Sequence, residues 1–213
     1  MPDECHRQHA VPNAPLILHR GIRALGFQVL KMEVIMRRCA KCNGLMEKST
    51  RPEHTEDLGG VVVKVLNAAQ VRRCPPCGTE MVAIPDMDGL AHAAAISRAL
   101  KPVRLAGAEV KFMRRVLDMK QTEFAKAMDL TAETVSRWEN DTRGLGTASE
   151  KLARHNICAL LYKEARGRPY DPAVIAHMAF TSLGEGESLP PIEMVRVYVS
   201  ADGPQTESWG QAA

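Results

Sequence analysis

Four cysteines stand in two pairs, Cys39 with Cys42 and Cys74 with Cys77, each separated by two residues, with 31 residues between the pairs. A two-residue spacer lets one tight turn aim both sulfurs at a single ion, and two such knuckles complete the tetrahedral sulfur set that zinc prefers. The spacing predicts a structural Zn2+, one per chain, held by Cys39, Cys42, Cys74 and Cys77, with no position open to water for metal catalysis. Three other chemistries use such pairs: disulfides, which a reducing cytosol disfavours, a redox CxxC, which calls for one pair beside a βαβ pattern, and iron in a rubredoxin-like site. Gly44 and Gly78 follow the pairs and are expected to supply the positive φ of a knuckle turn and room beside the sulfurs. Cys5 and Cys158 lack partners, and Cys158 reads as a small buried apolar residue.

Two knuckles need strands to bring them together. The run from Gly60 to Leu66 is rich in β-branched residues and predicts a strand ending before Asn67, so residues 36–85 read as a zinc ribbon too small to fold without its metal. Residues 1–35 read as a disordered N-terminal extension, with Met32 and Met36 as alternative starts. Residues 86–102 read as a linker containing an alanine-rich helix from Leu90 to Leu100.

Apolar residues at Val110, Met113, Val116 and Leu117 recur at helical spacing, opposite Lys111, Arg114 and Arg115. A short helix from Lys120 to Met128 follows, with Phe124, Ala125 and Met128 inward, then a turn over 129–131. Thr131 is a suitable N-cap for a third helix, 132–140, that buries Val135 and Trp138 and turns Ala132, Glu133, Ser136 and Arg137 outward. A further helix from Ala148 to Arg166 is expected to place Leu152, Ile157, Leu160 and Leu161 in a core or a dimer contact, with His155 half-buried. This stretch is basic: residues 101–168 carry 14 basic and 9 acidic side chains, whereas residues 169–213 carry 1 and 6. Arg137 can bond guanine or take a phosphate, and Glu133 can accept from cytosine N4, while the bland reading makes them an i,i+4 surface ion pair.

Residues 121–140 resemble the phage-repressor (Xre/Cro) class of helix-turn-helix. The resemblance implies that Lys120 and Gln121 meet phosphate, that Thr131, Ala132, Glu133, Thr134 and Arg137 face the major groove, and that Glu139 holds the fold. Asp141 stands where the class often has glycine. Ribbon followed by helix-turn-helix, over about residues 36–166, is similar to the MqsA/YgiT-type antitoxins. That likeness implies a homodimer on double-stranded operator DNA, repression of its own operon, and a cognate toxin protein as partner; a stand-alone regulator without a toxin shares the plan. The expected fold is mainly α with a small β zinc ribbon, joined to a five-helix lambda-repressor-like domain over 103–166.

Residues 167–213 read as an acidic tail with one strand, Ile192 to Val199, and a disordered end from Gly203. Aromatic residues make up 4% of the chain, which argues against a ring-lined substrate cavity, and no nucleophile, base and orienting group converge as an enzyme requires. No stretch approaches the roughly 20 apolar residues of a membrane span, and no export signal is read, so a cytoplasmic location without membrane contact is expected.

Overall fold

The computed structural model describes residues 38–200 and 205–212. The N-terminal extension and Cys5 lie outside them. A long hairpin pairs β1 (Glu47–Asp57) with β2 (Val62–Arg73). At its turn the Asp57 carboxylate accepts the Gly59 and Gly60 N–H groups at 2.9 and 3.0 Å. Gly60, at φ 130°, is obligatory there, because a Cβ would lie 2.6 Å from the Ala108 carbonyl oxygen.

β2 runs on through Asn67 rather than ending before it. Asn67 takes φ 52°, and the register shifts between Arg51 and Glu53, so a bulge divides the hairpin into a knuckle half and a body half. β1 occupies one edge of β2. The other edge is shared by β3 (Glu80–Ala83), antiparallel on the knuckle half, and β4 (Ile192–Val199), parallel on the body half. β5 (Thr206–Gln211) pairs antiparallel with β4.

The helices are α1 (Met87–Ala99), α2 (Gly107–Val116), α3 (Gln121–Ala127), α4 (Ala132–Glu139), α5 (Thr147–Leu161) and α6 (Pro172–Ala176). The expectation of a mainly α chain is therefore corrected: among the described residues, six helices accompany a five-stranded mixed sheet in place of a five-helix domain beside a small ribbon. The reason lies in the C-terminal residues. β4 and β5 extend the ribbon's sheet, and Trp209 of β5 is fully buried, its indole N–H donating to the Asp86 carbonyl at 2.9 Å. The disordered end expected from Gly203 is corrected over residues 206–211, which form β5.

The stretch read as a linking helix sits at the centre of this arrangement. Leu90, Ala93, Ala94, Ala95, Ile96 and Ala99 of α1 are all inaccessible to solvent, packed against β4, β5, α2 and α5. Small side chains suit a helix covered on several sides, since they admit close neighbours.

The connection from α1 to α2 lacks regular structure and still has to pair its buried backbone groups. Two buried arginines do this. Arg154 donates to the carbonyls of Ala99, Lys101 and Val103 at 2.7, 2.6 and 2.6 Å, and Arg98 to those of Val103 and Arg104 at 3.0 and 2.8 Å. Glu150 and Glu109 neutralise them. On α5, Leu152 and Leu160, expected in a core or a dimer contact, are about half exposed and so outside the core of the chain, and His155, expected half-buried, is exposed; Ala153, Ile157, Cys158 and Leu161 face inward beside Glu150 and Arg154.

Candidate metal centre and recognition helix

Both knuckles fold alike. The N–H of Cys39 bonds the Gly44 carbonyl and that of Asn43 the Cys39 carbonyl, each at 2.8 Å, and Cys74 with Thr79 and Gly78 with Cys74 repeat both bonds at the same distance. The positive φ of the first turn belongs to Asn43 (58°), not Gly44, while Gly78 (72°) supplies it in the second. Gly44 leaves room beside the sulfurs: a Cβ there would lie 3.3 and 3.4 Å from those of Cys42 and Cys74 and 3.2 Å from Pro76, contacts tight enough to make the knuckles shift.

The four sulfurs lie within 4.8 Å of one another, with separations of 3.4 Å (Cys39 to Cys77), 3.3 Å (Cys42 to Cys74) and 3.4 Å (Cys42 to Cys77). A tetrahedral ion with bonds of about 2.3 Å spaces its sulfurs about 3.8 Å apart, so the set closes on one metal with small adjustments. The thiols differ in acidity. The Thr79 hydroxyl and backbone N–H hold Cys77 down to about 6, and the backbone N–H groups of Lys41 and Cys42 lower Cys39. Burial, reinforced by neighbouring thiols, pushes Cys74 up to about 12. Donors aimed at sulfur also favour a bound thiolate and fix its direction. These cysteines can bind a metal ion.

α3 and α4 form the helix pair that the periodicity predicts, packed on each other, with α4 also on α2. The Thr131 hydroxyl caps α4 by accepting the Thr134 N–H at 3.2 Å, and the two threonine hydroxyls meet at 3.0 Å. Val135 and Trp138 are buried. Thr131, Glu133 and Arg137 are exposed, and Ala132 and Thr134 half-buried, along the outward side.

Glu139 fixes the angle of α4 on its neighbours. Its carboxylate accepts from Arg114 Nε and Nη2 at 2.5 and 3.0 Å and from Gln121 Nε2 at 2.8 Å, tying α2, α3 and α4 at one point. Burial pushes Glu139 up, but these bonds and the Arg114 charge outweigh it and hold the carboxyl below its ordinary value. Gln121 thus spends one of its two amide N–H donors internally and keeps one for an outside acceptor; Lys120 is exposed beside it. Asp141 adopts φ 53°, the left-handed turn glycine often fills, and accepts the Gly107 N–H at 2.7 Å. Gly107 cannot carry a side chain, because its Cβ would lie 2.5 Å from the Trp138 carbonyl oxygen.

Glu133 and Arg137 form the i,i+4 pair, Nη2 to Oε1 at 2.6 Å. Beside α4 an open groove is lined by Arg104, Thr134 and Arg143 and by the start of α5 at Thr147. Sequence reasoning missed this groove. The available signal was Gly144 and Gly146 flanking Leu145 just before a helix, which marks a tight, exposed approach of backbone. The helices that carry α4 meet the hairpin at its turn, where a Gly60 Cβ would touch Ala108 and a Gly107 Cβ would touch Trp138, whereas Cys74 follows the other end of β2.

No family model, no curated protein and no solved structure matches this chain. No helix among the described residues is long and apolar enough to cross a membrane.

Proposed function

We propose that this chain is a sequence-specific DNA-binding transcriptional regulator whose zinc ribbon is structural. The observation that carries the reading is the α3–α4 pair. A short helix, capped at Thr131 and anchored by Val135, Trp138 and Glu139, presents an outward row of polar and charged side chains on an otherwise basic segment. An α-helix of this kind fits the major groove of B-DNA, where base edges can be read, while Lys120, Gln121 and the first-turn N–H groups of α3 suit phosphate.

Zinc is the metal proposed for Cys39, Cys42, Cys74 and Cys77, because four thiolates in tetrahedral array match its preference and fill every position. When bound it supplies cross-linking of the two knuckles. Such a regulator acts in the cytoplasm as a homodimer, placing two recognition helices about 34–36 Å apart on a two-fold operator.

A finer reading, an antitoxin of the MqsA/YgiT kind that represses its own operon and binds a toxin, draws support from the order of ribbon and helix pair. The building of residues 192–199 and 206–211 into the sheet favours the other reading, a stand-alone regulator, because it gives the chain a body beyond the two modules. Sheared genomic DNA captured by the zinc-loaded chain and sequenced tests the main proposal. Enrichment of an inverted repeat near the chain's own gene is the expected result; recovery no better than bulk DNA refutes it. Native mass spectrometry of the complex co-expressed with its neighbouring genes separates the finer readings: a small neighbour-encoded protein in the assembly marks an antitoxin, and a zinc dimer alone marks the regulator.

A further inference from the structure

We infer that Glu133 and Arg137 act as one recognition unit for a single G·C base pair, an inference that rests on the reading of α4 as the DNA-contacting helix. The two side chains are joined at 2.6 Å and are 73% and 53% exposed, one turn apart on the outward side of α4. Arg137 keeps N–H donors on its fork beyond the one given to Glu133, and Glu133 keeps its second oxygen as an acceptor. Across the pair the order is donor, donor, acceptor.

The major-groove edge of a G·C pair presents guanine N7 and O6 as acceptors and then the cytosine N4 amino group as a donor. That order is the complement of the joined side chains. The spacing matches too, since O6 and N4 are hydrogen-bonded to each other at about 2.9 Å, close to the separation of the two side chains. The reversed pair presents the same groups in the opposite order. An A·T pair presents acceptor, donor, acceptor, which sets the guanidinium against an amino group and the carboxylate against a carbonyl.

The joined state also shapes binding to DNA of any sequence. A carboxylate on the groove-facing side is repelled by phosphate, and an arginine held by that carboxylate is less free to take a phosphate instead of a base. Glu133 therefore lowers affinity for random DNA while adding a contact on the right base pair. Discrimination arises from both sides of the ratio.

The test uses the full-length zinc-loaded chain and a random-sequence duplex library. After selection, affinities of the wild type, Glu133→Ala, Glu133→Gln, Arg137→Ala and the double variant are measured on the best duplex, on its single-pair replacements, and on a random duplex. The expected wild-type result is one G·C pair whose replacement weakens binding about 5- to 150-fold. Glu133→Ala and Glu133→Gln should lose most of that discrimination at the same base pair and bind random DNA more tightly, and the double variant should discriminate no worse than Arg137→Ala. If Glu133→Ala selects the same sequence with the same ratio to random DNA, the pair is a surface ion pair and the inference falls while the DNA reading stands. If the wild type enriches no sequence at all, the DNA reading falls and takes the inference with it.

Discussion

The two ends of β2 are held by different forces. At the Cys74 end the neighbouring strand residues of β1 and β3 are mostly exposed, and closure depends on four sulfurs and the paired turns around them. At the Val63 end the same strand pairs with β4, with Val61, Val63 and Val65 buried in the apolar core and the helical layer locked by internal arginine–carboxylate pairs. One strand thus ends beside four possible metal ligands on one side and in an apolar core on the other. The bulge at Asn67 lies between them. A perturbation confined to either end should stop at that bulge.

Metal removal should make the largest difference. Structural zinc binding is worth on the order of 10 kcal/mol, and a zinc ion at the proposed site would act by closing the knuckles. With a chelator, backbone amides over residues 39–53 and 70–83 should lose hydrogen-exchange protection, while those of 61–66 and of α2 to α5 keep theirs. Loss of protection throughout α4 would show that the two ends fold as one unit. The opposite perturbation is Arg154→Ala, which takes a donor from the carbonyls of Ala99, Lys101 and Val103, of which Val103 keeps Arg98, and leaves Glu150 without its fully buried partner. We expect a loss of about 3–5 kcal/mol in urea unfolding, with the metal content of the folded protein unchanged.

A smaller effect is expected where α2, α3 and α4 meet. Glu139 has its folded pKa held below the unfolded value by Arg114 and Gln121 against the cost of burial. A depressed carboxyl contributes stability that is complete above the unfolded pKa and is lost as pH falls through the folded one. Glu139→Gln should therefore cost about 1–3 kcal/mol at neutral pH, and the gap from wild type should close as the pH is lowered below the ordinary carboxylate range. A gap independent of pH would assign the loss to packing rather than to the charge.

The sequence made local features legible and hid those that depend on distant partners. The cysteine spacing, the cap at Thr131 and the inward Val135 and Trp138 are set within a few residues, and the helix pair follows from them. β4 was readable over Ile192 to Val199 because four of its residues, Ile192, Val195, Val197 and Val199, are β-branched and only Glu193 and Arg196 are charged. β1 was not, because the run from Glu47 to Asp57 is polar on both faces and becomes a strand only by pairing with β2. β5 contains serine, glycine and glutamate, and nothing near it announces that Trp209 is buried against the start of α1. On α5 the rule that leucine lies inside and arginine outside inverts: Leu152 is exposed and Arg154 is not, since the α1–α2 connection needs donors from that face. The clustering of the four cysteines was legible because each pair is set within four residues of chain.

The smallest effect on folding should come from Glu133→Ala. Its partner Arg137 and the carboxylate are both largely exposed, and an i,i+4 pair in that setting contributes about 0.3–0.5 kcal/mol. Urea midpoints of wild type and variant should nearly coincide. Set beside the collapse of sequence discrimination expected from the same change, that coincidence would separate the two roles of α4: Val135, Trp138 and Glu139 hold the helix, and the outward pair is free to answer to DNA. A midpoint shift as large as that of Glu139→Gln would instead make the pair part of the frame, and its orientation toward the groove would then be a by-product of folding.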